Sequence, residues 1–358
     1  MLTRRHVLTL GSAGLVAGLA GVLSGCGSAG APTSAATASG SPAAGGAASA
    51  GASASGGTPV TIGLTYIPNI QFAPFYTGVA QGLFAAAGID ATLRHHGASE
   101  GLFTALAAGQ EDFVIAGADE MLQARAQGLE VVAIAPYYRQ YPAVLVVPAD
   151  SPIKTAADLK GRSVGVPGRY GESWFALKVL LNSAGLSESD VTIQEIGYTQ
   201  QAALTGKKID ASIGFANNDV VQFNAGGFPV RTIPLTSGPL PLVSISLITT
   251  QQVLDTRGDV ARRVAAATVR SIEAVVADPA GALVDAEGFV PALKADAAQK
   301  TAAARTLDAT LPLWTDASGR VTPGLDEAKF VAMATFMEQQ GLLAKPVDGT
   351  KALWNAQG

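Results

Sequence analysis

Between residues 58 and 250, short β-branched or alternating runs take turns with helix-length runs, and a chain with that rhythm has few folds open to it. Candidate strands at 60–66, 89–93, 112–116 and 131–135 are separated by candidate helices at 75–87, 100–108 and 120–126. Parallel strands need a crossover of a dozen or more residues, which a helix supplies, so this order predicts a mostly parallel sheet covered on both faces. After a run at 143–147 that ends on Pro148, the alternation restarts with strands at 163–166, 191–196, 209–214 and 230–233 and helices at 174–184, 199–204 and 219–224. A β-rich run at 242–249 then gives way to amphipathic helical stretches at 259–277, 296–309 and 326–340. The pattern predicts an α/β protein of two lobes, each with its own mixed, mostly parallel sheet. Lobe 1 comprises 58–146 and 244–358, and lobe 2 comprises 147–243. Crossings near 144–148 and 240–246 join them as a two-strand hinge.

The first 26 residues read as an export leader: Arg4 and Arg5, then 7–23 without a charge, then Leu23-Ser24-Gly25-Cys26. The apolar run is short for a bilayer and is broken by Gly11, Gly14, Gly18 and Gly21. The tetrapeptide resembles the lipobox of bacterial lipoproteins, which implies cleavage before Cys26 and a diacylglycerol on its thiol. Thr3-Arg4-Arg5-His6-Val7-Leu8 is similar to a twin-arginine signal, which implies export after folding. Residues 27–57 contain only Gly, Ser, Ala, Thr and Pro. Such a tract cannot bury enough apolar surface to fold, and as a flexible coil it spans roughly 30 Å root-mean-square, the reach of a tether.

Charge and cysteine usage exclude several functions. The formal charge of -4 becomes more negative once Arg4 and Arg5 leave with the leader, and no basic run is present, so a nucleic-acid surface is not expected. A lone cysteine forms no internal disulfide and no thiolate metal cluster. His95 and His96, adjacent at a strand end, point to opposite faces and do not chelate one ion. Gly165-Val166-Pro167-Gly168-Arg169-Tyr170-Gly171 lacks the Lys-Ser/Thr ending of a phosphate loop, and Pro167 removes a donor. No cofactor and no metal is expected.

Tyr66-Ile67-Pro68-Asn69-Ile70-Gln71-Phe72-Ala73-Pro74-Phe75-Tyr76, Gly82-Leu83-Phe84 and Gly88-Ile89-Asp90 resemble the opening of the NMT1/THI5-like (SsuA/THI5-like) solute-binding proteins of ABC importers. So do Gly97-Ala98-Ser99-Glu100, Ala105 to Gly109, Gly117-Ala118-Asp119-Glu120 and Asp158-Leu159-Lys160-Gly161, while the segment from Gly165 to Gly171 is similar to the family's second-lobe binding loop. The resemblance implies a type II periplasmic-binding-protein fold that closes on a small molecule between its lobes. It also implies permease and ATPase subunits as partners, and a monomer held by its lipid at the extracytoplasmic face of the cell membrane. Family ligands include thiamine pyrimidine precursors, riboflavin and small sulfonates. Pyrimidine binders commonly carry His where this chain has Phe72, and the form of the first motif is closer to riboflavin carriers. A thiamine-pyrimidine synthase resembles the same family, but that enzyme uses a cysteine-rich iron motif that this chain lacks, and no catalytic residue is expected here. A receptor that signals rather than feeds a transporter is a further alternative.

A flat heteroaromatic ligand gains most from aromatic faces, about 0.5–1.5 kcal/mol per stacked pair beyond area burial, with a few polar groups fixing its orientation. Tyr66, Phe72 and Tyr76 offer such faces after the first strand, and Tyr170 with Trp174 offers them in the second lobe beside Gly171. Phe75 and Phe84 fall at helical spacing and belong to the core. Asn69 suits either a ring edge or a helix cap. Ser99, Glu100 and Asp119 lie at helix starts, where N–H groups collect polar ligand atoms and carboxylates also cap. Asn217, Asn218 and Asp219 form a polar turn at the lobe edge, and one of the three is expected to face the cleft.

Overall fold

The computed structural model describes residues 56–65, 67–96, 100–316 and 318–355. Cys26 with the rest of the expected leader, the small-residue tract as far as residue 55, and the candidates Tyr66 and Ser99 lie outside the described residues. Strands β1 (Thr58–Leu64), β2 (Ile89–His95), β3 (Phe113–Gly117) and β4 (Val131–Pro136) belong to one sheet. Strands β5 (Ala143–Pro148), β6 (Ser163–Val166), β7 (Thr192–Glu195), β8 (Ala211–Phe215) and β9 (Val230–Ile233) form a second, and β10 (Ile245–Thr250) returns to the first.

The sheets run β2-β1-β3-β10-β4 and β7-β6-β8-β5-β9. In the first, β1 is parallel to β2 and β3, while β10 is antiparallel to β3 and β4. In the second, β6 is parallel to β7 and β8, while β5 is antiparallel to β8 and β9. The two sheets therefore share one topology. In each, the antiparallel strand in fourth place is the one that has just arrived from the other sheet.

Burial follows position in the sheet. Central β3 is buried at every residue, as an uninterrupted apolar run requires. So is β4, an edge strand whose outer side is covered by the chain's end through the Ala133–Leu353 bridge, whereas edge strands β2 and β7 keep polar residues facing water. One cluster of buried apolar side chains runs from Val114 and Met121 through Ile248 to Leu145, Phe175 and Leu180, so the sheets are packed against one continuous core as well as joined by two crossings.

Several boundaries differ from the sequence pattern. The run at 143–147 is no crossing: β5 pairs with β8 and β9 along its length, so the chain passes between sheets at 137–142 and returns at 234–244. The helix predicted at 75–87 is two, Ala73–Ala80 and Leu83–Ala86, because Gly82 adopts a left-handed φ of 69° that ends the first. Of the run at 100–108 only Thr104–Ala107 is helical. Two short helices that open on proline, Pro279–Ala286 and Pro291–Ala295, had no clear period to announce them.

The helix expected at 259–277 follows a kink at Arg257, with φ -141° and ψ 36°, and is preceded by a helical stretch that opens at Gln251, where the Thr250 side chain accepts the Val253 N–H at 3.2 Å. It buries Val260, Ala261, Val264, Ala267, Thr268, Ser271 and Val275, a 3–4 spacing that lays one face on the first sheet's core. Loss of that cap in Thr250→Ala is expected to cost about 1 kcal/mol, read as a lower urea midpoint at unchanged slope.

Candidate functional site

In each sheet the parallel strands end toward the same space, and the turns that follow them enclose a cavity of about 390 Å³. The turns after β1, β3 and β4 contribute Asn69, Phe72, Glu120, Tyr137 and Tyr138, and those after β6, β7 and β8 contribute Tyr170, Gly171, Glu172, Tyr198, Asn218 and Asp219. A crevice beyond the carboxyl ends of parallel strands is the usual ligand position in open α/β sheets.

Among the described site candidates, the structure brings Asn69, Phe72, Tyr170, Gly171 and Asn218 to this cavity. Of the two readings made of Asn69, the structure shows the cap. Its Oδ1 accepts the Gln71 N–H at 2.9 Å and caps the turn Ile70–Phe72, while the residue also borders the cavity. Tyr76 stands behind it, fully buried and stacked on Phe289 at 4.7 Å, with its hydroxyl 3.3 Å from the Asn69 nitrogen and 3.1 Å from His95 Nε2. Tyr76 thus props the turn instead of lining the space.

Four other candidates lie off the cavity wall. Glu100 is engaged by the Arg94 guanidinium at 2.8 Å, in a network that continues to buried Glu111 and His96. His95 and His96 face opposite sides of the strand end, toward Tyr76 and toward Glu111. Asn217 is buried and donates from Nδ2 to Thr310 Oγ1 at 3.0 Å. Trp174 is buried, with the Arg169 guanidinium 5.0 Å and the Lys178 ammonium 5.9 Å from its ring centre. Asp119 is buried immediately behind Glu120.

Of the polar turn Asn217-Asn218-Asp219, the last two border the cavity. Sequence reasoning missed Tyr137, Tyr138, Glu172, Tyr198 and Phe215 as cavity residues. Each follows the end of a strand or closes it, and that position was the available signal. Tyr137 donates from its hydroxyl to the Gln71 carbonyl at 2.6 Å and stacks on Phe75. Tyr138 leans on Tyr137 and Trp314, so an aromatic bank underlies the first lobe's side of the cavity. Across from it, Tyr170 and Tyr198 line the cavity with 55% and 69% of their surface exposed.

An acidic cluster lies at the floor, with Glu120 and Glu172 on it and Asp119 just behind. Asp119 Oδ1 accepts the Glu120 N–H at 2.8 Å, and its Oδ2 accepts the Tyr141 hydroxyl at 2.7 Å. Glu172 accepts from Ser244 Oγ at 3.1 Å, and its carbonyl lies 3.1 Å from the Tyr141 hydroxyl. Tyr141 and Ser244 belong to the two crossings, so both crossings are bonded to the acids. The crowding requires glycine: a Cβ on Gly117 would lie 2.5 Å from Asp119 Oδ1, and one on Gly171, whose φ is 69°, would lie 3.0 Å from Glu120 Oε1.

Burial pushes the Asp119 carboxyl up to about 7, against the Tyr141 hydroxyl and backbone N–H groups that favour its charged form. Burial first and the Asp119 charge second raise Glu120, and burial followed by Asp119 and Glu120 raises Glu172 well above the carboxylate range. Asp219 is raised by burial while the Phe215 N–H opposes. Burial thus favours the protonated form of these carboxyls, the form in which they can donate hydrogen bonds. Among the described residues no group of three or more His, Cys, Asp or Glu side chains is placed to hold a metal ion, and no helix is long and apolar enough to cross a membrane.

A family model described as NMT1/THI5 like matches residues 69–282. The chain is 31% identical over 300 residues to the riboflavin-binding protein RibY of Chloroflexus aurantiacus, covering 83% of this chain and 85% of that one. It is 23% identical over 226 residues to the formylaminopyrimidine-binding protein of Halalkalibacterium halodurans, covering 63% and 68%. Its fold is similar to that of the alkanesulfonate-binding protein SsuA from Xanthomonas axonopodis pv. citri, solved bound to MOPS, with a TM-score of 0.62, 20% identity and coverage of 83% of this chain and 98% of that one.

Proposed function

The chain belongs to the NMT1/THI5-like family, and on that footing we propose that it is the solute-binding lipoprotein of an ABC importer, closing its two lobes on a flat heteroaromatic vitamin, riboflavin in the first place. The observation that carries the reading is the make-up of the cavity: aromatic side chains approach from both sheets, Phe72 and Tyr138 from one and Tyr170 and Tyr198 from the other, with carboxyls between them. Rings sandwiched in this way gain dispersion on both faces, and protonated carboxyls with Asn69 and Asn218 address the polar edge. The likeness to a riboflavin-binding relative over most of both chains supports the same ligand class.

Binding draws on both lobes, so it stabilises the closed form over the open one. The crossings at 137–142 and 234–244 are the hinge in this reading. Cys26 carries the lipid, the tract at 27–57 is the tether that lets the body reach permease and ATPase subunits, and the leader is of the twin-arginine type. A thiamine pyrimidine precursor is the second ligand, supported by the formylaminopyrimidine-binding relative, with Phe72 supplying a face where the pyrimidine binders carry His.

Titration of the protein's tryptophan fluorescence with riboflavin, thiamine, its aminopyrimidine precursors and small sulfonates tests the reading. Trp314 adjoins Tyr138 at the cavity, with ring centres 6.2 Å apart, and reports occupancy. Saturable binding of riboflavin at sub-micromolar concentration is expected, with a smaller radius of gyration when bound. Silence across the panel overturns the ligand class.

A further inference from the structure

Three helices begin at the cavity, Ala118–Ala126, Gly171–Ser183 and Asp219–Ala225, and each carries acid in its first turn: Asp119 and Glu120, Glu172, and Asp219. Helix N-termini ordinarily attract anions, since each presents roughly half a positive charge and unpaired N–H groups. Here the chain's own carboxyls take that place. Asp119 accepts the Glu120 N–H within its helix's first turn, while Asp219 sits in its own helix's first turn and reaches back to the Phe215 N–H of β8 at 2.7 Å. Among the described residues that line the cavity, Glu120, Glu172 and Asp219 are acids and none is Lys, Arg or His. Arg169, next to Tyr170 in sequence, is spent on Glu188, Glu195 and the face of Trp174.

We infer that the cavity is a charge filter in which Glu120 and Glu172 admit an uncharged heteroaromatic ring and turn away its anionic derivatives, phosphate esters and sulfonates among them. The inference rests on the proposed binding of a flat heteroaromatic solute and adds the charge class of that solute. A sphere of 390 Å³ is about 9 Å across, close to the ~8 Å Debye length at physiological salt, so an anion anywhere inside feels the carboxyls with little screening. A protonated carboxyl donates to a ring carbonyl or nitrogen, and an ionised one repels an anion. Near pH 8 the second effect comes from Asp119 just behind the wall and from Glu120, which burial and the Asp119 charge push up to about 8 so that it is ionised in part. Glu172, raised further, keeps its proton and acts as the donor.

The test compares riboflavin with flavin mononucleotide, the same ring carrying about -1.5 to -2 added charge, by fluorescence titration near pH 8. The mononucleotide is expected to bind at least about tenfold more weakly, and the gap to narrow at least about threefold in the protein carrying Glu120→Gln and Glu172→Gln. Affinities within about threefold in the wild-type protein overturn the filter, as does an unchanged gap in the substituted protein. Glu120→Gln alone, at a carboxyl open to the cavity, replaces the pair if the pair does not fold. If neither flavin binds, the proposed solute fails, and MOPS decides the filter separately. Uptake by wild-type protein overturns it, uptake only by the substituted protein supports it, and rejection by both overturns the assignment to these residues.

Discussion

Tyr170→Ala is expected to weaken riboflavin binding by about a hundredfold while leaving the melting temperature of the free protein unchanged. The ring is 55% exposed without ligand, so its truncation removes little from the folded state. When the lobes close on a flat ring, that face is covered. Burying an aromatic side chain is worth about 1.5–3 kcal/mol and an offset stack adds about 0.5–1.5 kcal/mol, which together span one to three decades in affinity. Phe72→Ala is expected to lose as much from the opposite wall, with some loss of stability because Phe72 is buried and edge-on to His95 at 5.5 Å. Trp174→Phe is the control: the ring lies under Arg169 and Lys178, off the cavity wall, so affinity should stay within about threefold. Tyr170→Ala binding like wild type, or Trp174→Phe losing as much as Tyr170→Ala, removes the two-sided clamp.

That contrast also marks where the sequence stops informing. Tyr170 and Trp174 are four apart, the spacing that puts two side chains on one helix face. The rule applies only if both residues are helical, and Tyr170 is the extended N-cap, with φ -152° and ψ 161°, so its ring leaves in another direction. The strands were legible because their signal is local: β3 and β4 are apolar throughout, and β6 and β9 keep the ends that the pattern predicts. Cavity residues at strand ends were half legible. Phe72, Tyr170 and Asn218 follow strands in marked turns, but Tyr138, Tyr198 and Phe215 acquire their place only when two sheets built from distant segments face each other. The acids were misjudged for a related reason. Capping accounts for Asp119 within its own helix start and Glu172 drew no reading at all, and only the meeting of the two helix starts, bonded through Tyr141 and Ser244, makes them one cluster.

The stability of the free protein is expected to fall as pH rises from about 5 to 8, and Asp119→Asn is expected to flatten that slope. A carboxyl whose folded pKa lies above its unfolded value keeps a proton in the native state that the unfolded chain has already released. Its contribution is complete below the unfolded pKa and is lost as pH rises through the folded one. For Asp119 the shift from 3.8 to about 7 amounts to on the order of 4 kcal/mol at about 1.4 kcal/mol per unit. Glu120 and Glu172 are raised in the same direction and titrate with it as a group, so the loss continues beyond the Asp119 value. Below pH 4 the sign reverses, because Asp158, Asp190 and Asp210, held down by backbone N–H groups, lose their stabilising charge on protonation. A maximum between about pH 4 and 5 follows, and urea unfolding across pH 3–9 reads it. Stability that is flat or rising between pH 5 and 8 in the wild-type protein would mean that the cluster is already ionised in the native state. The cavity floor would then be a wall of charge and no hydrogen-bond donor, and a ring carbonyl would find no partner there.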